Sequence, residues 1–174
     1  MSVLYAGDVA AMEAAGAALA KALGDAGAIV YLSGDLGAGK TTLVRGVARG
    51  LGITGRVRSP TYTLVEGYEL PGGMLYHLDL YRLSGAGELE FLGIRDLEAP
   101  AHKVFIEWPE RVAEGSLPAA DLLLALSEAG EGRRIEVQAI SPRGAAVVER
   151  WLAEMGEADG VRAENTPADS KLPL

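Results

Sequence analysis

The sequence has no cysteine among its 174 residues. That excludes disulfides, thiolate metal sites and thiol nucleophiles, and it fits a cytoplasmic location. No run of about 18 or more uncharged apolar residues occurs, so no membrane-spanning helix is expected. The opening Met1-Ser2-Val3-Leu4-Tyr5 has neither a basic stretch nor a long apolar one, and no signal peptide is read there. Positive charge is also short: 16 Lys and Arg stand against 24 Asp and Glu, for a net charge of −8. Such a chain does not hold nucleic acid on a broad basic surface. If RNA is involved, a partner supplies most of the contact. Arg45, Arg49, Arg56 and Arg58 come closest to a basic patch, and they read as a solvated helix face and loop.

What is present is a complete phosphate-binding loop, Gly34-Asp35-Leu36-Gly37-Ala38-Gly39-Lys40-Thr41-Thr42. An apolar, β-branched run (residues 28–32) precedes it and a helix-like stretch follows, which is the context the motif requires. Consecutive backbone N–H groups can wrap a polyphosphate only where side chains do not intervene. Gly34, Gly37 and Gly39 remove Cβ atoms and permit positive φ. Asp35, Gly37, Ala38, Gly39, Lys40, Thr41 and Thr42 are therefore the candidate nucleotide-binding residues of the loop. The next helix aims its positive end at the phosphates. Lys40 should reach the β- and γ-phosphates, and the Thr41 hydroxyl should ligate Mg²⁺.

The rest of the chain reads as alternating helices and strands. Residues 8–23 form a helix capped by Asp8. Strands at 63–70 and 74–80 flank Pro71-Gly72-Gly73 as a hairpin. Residues 84–100 read as a short helix plus loops. Residues 103–107 form a buried strand, and Pro109 opens a short helix. Strands at 121–127 and 133–139 flank residues 128–132 as a second hairpin. Ser141 caps a last helix running to about Met155, with Trp151 in the core. From Gly156 on, the chain is polar with no apolar period and reads as a flexible tail whose removal leaves the melting temperature nearly unchanged. The expected fold is α/β: one P-loop NTPase-like, three-layer domain over residues 1–155, with a mainly parallel sheet and added antiparallel hairpin strands.

Two apolar strands end in a carboxylate, Asp79 and Glu107, and both could stand at the sheet mouth beside the phosphates. We assign Asp79 to the metal and Glu107 to the attacking water, with Glu107 also a candidate metal ligand. Spacing alone allows the roles to be exchanged, and an ion pair of Asp79 with Arg82 or a capping role for Glu107 is the bland alternative. Ser59-Pro60-Thr61 lies between the first loop helix and the next strand, where Thr61 could sense the γ-phosphate or complete the Mg²⁺ shell; a strand-entry turn with Pro60 fixing φ is the bland alternative. His77 falls on the strand face of Asp79, and Trp108 follows Glu107 directly; both are further candidates, with a structural hydrogen bond for His77 and simple packing for Trp108 as the alternatives. His102 opens a strand and reads as structural.

Four separated motifs occur in order: the phosphate loop, Ser59-Pro60-Thr61-Tyr62, Tyr76-His77-Leu78-Asp79-Leu80-Tyr81-Arg82, and Ile106-Glu107-Trp108-Pro109-Glu110-Arg111. With these the chain resembles the TsaE (YjeE) family over residues 8–155. The first motif is generic to P-loop proteins; the last two, with their spacing, are specific to the family. The resemblance implies a slow, Mg²⁺-dependent ATPase of tRNA threonylcarbamoyladenosine synthesis. Its partners would be TsaB and TsaD, its hydrolysis would reset that complex, and tRNA would be met only through them. It implies roles for Lys40, Thr41, Asp79 and Glu107 in phosphate, magnesium and hydrolysis, a switch-like role for Thr61, and an activity-linked role for Trp108. A small-molecule kinase would need an arginine-bearing lid, and a GTPase an Asn-Lys-x-Asp motif; neither is present. A nucleotide-gated adaptor that hardly hydrolyses ATP is the other alternative.

Overall fold

The structure is a computed structural model and describes residues 1–83, 89, 93, 97–155 and 161–165. Its strands are β1 (Ser2–Ala6), β2 (Ala28–Ser33), β3 (Val65–Leu70), β4 (Gly73–Asp79), β5 (Lys103–Glu107), β6 (Leu122–Ala129), β7 (Gly132–Ala139) and β8 (Val161–Asn165). Its helices are α1 (Val9–Leu23), α2 (Lys40–Gly50) and α3 (Pro142–Glu154). The eight strands form one sheet in the order β3-β4-β5-β2-β6-β7-β1-β8. The four central strands β4, β5, β2 and β6 run parallel, and antiparallel partners flank them on both sides. The α/β class with a mainly parallel centre and hairpin additions is what the sequence implied.

The parallel centre carries apolar residues on both of its faces. β5, Lys-Val-Phe-Ile-Glu, is buried at every position, as a strand covered on both faces must be. Phe105 joins the core under the helices, while Val104 and Ile106 join Leu78, Leu80, Leu89 and Leu97 on the opposite face. The helical layer depends on close backbone approach. A Cβ at Gly16 of α1 would lie 2.2 Å from the Leu43 carbonyl oxygen, and one at Gly46 of α2 equally near that of Glu13. Trp151 of α3 is fully buried, its Nε1 donating to the Ala15 carbonyl at 2.9 Å. Caps fall at Asp8, which accepts from the Ala11 amide, and at Ser141, which accepts from the Gly144 amide.

Three features differ from the sequence reading. Ser2–Ala6 is a strand, β1, inserted between β7 and β8. The second hairpin turns on Gly130-Glu131 rather than on five residues, because β6 and β7 extend to Ala129 and Gly132. The polar tail is not wholly loose: Val161–Asn165 pairs antiparallel with β1 along five residues. Its backbone is satisfied by the free edge of β1, so it needs little apolar period of its own; Val161 is buried. The helix expected within residues 84–100 lies largely outside the described residues. Among the described residues no helix is long and apolar enough to cross a membrane.

Candidate nucleotide site

β2 delivers the chain into the loop, and α2 leaves it at Lys40. Gly34, Gly37 and Gly39 have φ of 128°, 82° and 102°, a region costly for residues with a Cβ. At Gly34 a Cβ would also lie 2.1 Å from the Leu126 carbonyl oxygen, whereas at Gly37 nothing stands within 4 Å. One glycine thus locks the loop against β6, and another leaves its outer side open. The first intrahelical bond of α2 runs from the Leu43 amide to the Gly39 carbonyl. The amides of Lys40, Thr41 and Thr42 therefore have no intrahelical partner and point out of the helix start.

An open cleft of about 160 Å³ lies over this loop, lined by Leu36, Gly37, Gly39, Lys40, Thr41, Thr42, Thr61, Asp79, Tyr81, Glu107 and Trp108. It is smaller than a whole small-molecule pocket, so a nucleotide seated by its phosphates would extend beyond it. Lys40 is buried, and its Nζ donates to the carbonyls of Gly34 at 2.6 Å and Asp35 at 2.9 Å. It also stands 4.2 Å from the centre of the Trp108 ring. Burial lowers the Lys40 pKa, while Glu107, Asp79, Glu110 and Asp35 act to raise it. Trp108 has φ of 59°. A bulky residue in this region is strained, and such strain gathers at functional sites. Its ring also packs on Tyr81, with centroids 4.9 Å apart, and Arg111 lies over both rings.

Two carboxylates, both nearly inaccessible, close the floor. Glu107 Oε1 accepts from the Thr41 hydroxyl at 2.8 Å and lies 2.7 Å from His77 Nε2. Asp79 Oδ2 accepts from the Thr61 hydroxyl at 2.9 Å, and its Oδ1 from the Tyr81 amide at 3.0 Å. Ser59 is exposed and bonds Thr61 Oγ1 at 2.8 Å. Lys40, Thr41, Thr42, Thr61, Asp79, Glu107 and Trp108 are thus brought together around one cleft. His77 stands behind Glu107, and Ser59 behind Thr61. Ala38 is buried and Asp35 exposed; neither lines the cleft, though the Asp35 carbonyl holds Lys40. Leu36 and Tyr81 line it without having been singled out from the sequence. Each sits inside a motif, which is the signal that could have found them.

The donor set fits a magnesium nucleotide. Hydroxyl and carboxylate oxygens suit that hard cation. Among the described residues there is no cluster of three or more His, Asp or Glu that could hold a metal. Of the arginines read as solvated, Arg49, Arg56 and Arg58 are exposed and Arg45 is half-buried; Arg45 and Arg49 both pair with Glu13 of α1.

Residues 6–135 match the family model "Threonylcarbamoyl adenosine biosynthesis protein TsaE". The tRNA threonylcarbamoyladenosine biosynthesis protein TsaE of Haemophilus influenzae is 50% identical over 120 residues, covering 69% of this chain and 75% of that one. Its counterpart in Streptomyces coelicolor is 40% identical over 143 residues, 80% of this chain and 93% of that one. The crystal structure of Bacillus subtilis YdiB superposes with a TM-score of 0.70 at 29% identity, over 88% of this chain and 95% of that one.

Proposed function

The chain belongs to the TsaE family of tRNA threonylcarbamoyladenosine biosynthesis, and on that premise we propose that it is a magnesium-dependent ATPase acting with the TsaB–TsaD complex. In this reading hydrolysis is slow in the isolated protein, and the complex stimulates it. Each turnover resets the complex for another threonylcarbamoyl transfer. The protein meets tRNA only through those partners, which its net charge of −8 favours. It works in the cytoplasm.

The observation that carries this reading is the convergence of Lys40, Thr41, Thr61, Asp79 and Glu107 on one cleft above a glycine loop. The amides of Gly37, Gly39, Lys40, Thr41 and Thr42 bind phosphate oxygens, aided by the positive end of α2. Lys40 neutralises the β- and γ-phosphates; the loop carbonyls that hold its Nζ aim it there. Thr41 and Asp79 would hold magnesium, with Glu107 as a further candidate oxygen ligand. Bound magnesium would offset charge on the transferred phosphoryl group and orient it. Glu107 orients the attacking water and accepts its proton. Thr61, bonded to Asp79, couples the segment after α2 to the occupied site.

The test is steady-state ATP hydrolysis by the protein alone and with purified TsaB–TsaD. Slow turnover alone with marked stimulation supports the reading. Equal rates in both conditions would remove the coupling, and no hydrolysis in either would remove the ATPase.

A further inference from the structure

His77 does not line the cleft, yet it is fully buried directly behind it. On β4 it shares a face with Asp79 two residues on. Across the strand pair it is registered with Phe105, while Asp79 is registered with Glu107. The ring therefore reaches diagonally, and Nε2 lies 2.7 Å from Glu107 Oε1. In the reading where Glu107 is the hydrolytic base its carboxylate only accepts, and Nε2 then carries the hydrogen of this bond. On the other side of the ring, Nδ1 is buried without a hydrogen-bond partner, alone in this among the side-chain atoms of the described residues. A buried polar atom left unpaired costs stability. An apolar side chain of similar size would fill the same space without that cost. Packing therefore does not account for a histidine at this position; the bond to Glu107 does.

Resting on the reading of Glu107 as the hydrolytic carboxylate, we infer that His77 is a positioning residue that sets the angle of that carboxylate. The terminal torsion of a glutamate is a broad, two-fold rotor, and one hydrogen bond does not fix it. Two donors do. The Thr41 hydroxyl approaches Oε1 from the loop helix, and His77 Nε2–H approaches it from β4. Both bonds fall on Oε1, which leaves Oε2 as the oxygen for the attacking water in that reading. The clamp spans the parallel β4–β5 pair, whose register places His77 and Glu107 on neighbouring strands two positions apart.

Two variants and two readouts test this. His77→Leu removes the donor at similar volume, and His77→Gln restores an N–H at similar reach. At saturating ATP and magnesium, His77→Leu should slow hydrolysis about tenfold or more, as loss of a ligand-orienting partner does, with ATP affinity within about threefold of wild type. His77→Gln should recover the rate to within about threefold of wild type. Independently of activity, nitrogen–proton NMR of the nucleotide-free full chain should show the His77 Nε2–H resonance, and Glu107→Gln should shift it. An unchanged rate in His77→Leu overturns the inference, as does equal loss in both variants, loss confined to ATP affinity, or an Nε2–H signal indifferent to Glu107→Gln. If His77→Leu does not fold, His77→Gln and the NMR comparison still decide. A wild-type protein without hydrolysis but with a responsive Nε2–H signal would keep the clamp and remove the ATPase reading.

Discussion

Asp79 and Glu107 stand side by side as registered residues of parallel strands β4 and β5, and each is held by a threonine from a different segment. Thr61 bonds Asp79 at 2.9 Å, and Thr41 bonds Glu107 at 2.8 Å. Two adjacent buried carboxylates are costly unless hydroxyls, amides or cations compensate them. Here the compensation comes from the elements a nucleotide would contact: the loop helix, the segment after it, and Lys40. Anything that changes the loop is therefore felt at both carboxylates.

Glu107→Gln keeps the shape and a hydrogen-bond acceptor but removes the charge and the basic oxygen. If Glu107 handles the proton of the attacking water, hydrolysis falls by about 10²–10⁴-fold, while ATP affinity stays near wild type. Single-turnover hydrolysis beside calorimetric binding measures both. A variant that binds and hydrolyses normally would return Glu107 to a structural role and favour Asp79 as base.

Lys40→Ala removes a buried cation aimed over the loop. The loss of one charge-assisted phosphate contact is worth about 1.5–3 kcal/mol, so ATP should bind on the order of tenfold to a hundredfold more weakly by calorimetry. The melting temperature should fall as well, because Lys40 offsets the buried Asp79 and Glu107 and its Nζ holds the Gly34 and Asp35 carbonyls. Unchanged affinity would mean that the phosphates do not lie on this loop.

The parts legible in the sequence were those whose chemistry is local. The loop is spelled by glycines that need positive φ, and β5 by the consecutive apolar residues Val104-Phe105-Ile106, which suit a doubly covered strand. Asp79 and Glu107 could be placed because a carboxylate ending an apolar strand has few places to go. What depends on distant pairing was not legible. Ser2–Ala6 is short and became a strand because β7 and β8 bracket it. Trp108 adopts φ of 59° and stacks over Lys40, an arrangement made by tertiary contacts. His77 could be assigned to the face of Asp79 by alternation, but its bond to Glu107 follows from register between β4 and β5, which no local pattern encodes.

Alkaline pH should reveal Tyr31. Its hydroxyl donates to the Pro118 carbonyl at 2.6 Å, and burial pushes its pKa from the ordinary 10.0 to about 12. An unfolded tyrosine ionises near 10 while the folded one keeps its proton, so between these values the unfolded state binds fewer protons and stability falls as pH rises. Lys40 and Lys103, lowered by burial, act in the opposite sense, and their effect is complete once unfolded lysine deprotonates near 10.4. The melting temperature should therefore drop between about pH 10.5 and 12, and Tyr31→Phe should flatten that drop. An identical decline in Tyr31→Phe would place the alkaline transition elsewhere.

Truncation after Met155 should be destabilising, contrary to what the polar composition of the tail suggests. β8 supplies the outer hydrogen-bonding partner of β1 along five residues, and Val161 is 4% exposed. Burial of a valine side chain contributes about 1.5 kcal/mol. For a domain of this size each kcal/mol moves the melting temperature by roughly 2–4 °C, so removing residues 156–174 should lower it by several degrees. It should also raise the tendency to associate, because β1 becomes an unpaired edge. ATP affinity should not change: β1 and β8 lie beyond β6 and β7, on the far side of the sheet from Asp79 and Glu107. Scanning calorimetry and ATP titration of the same truncated protein separate the two effects. A melting temperature within a degree of the full chain would mean that β8 adds nothing to the fold; a parallel loss of ATP affinity would mean that the sheet transmits the missing strand to the cleft.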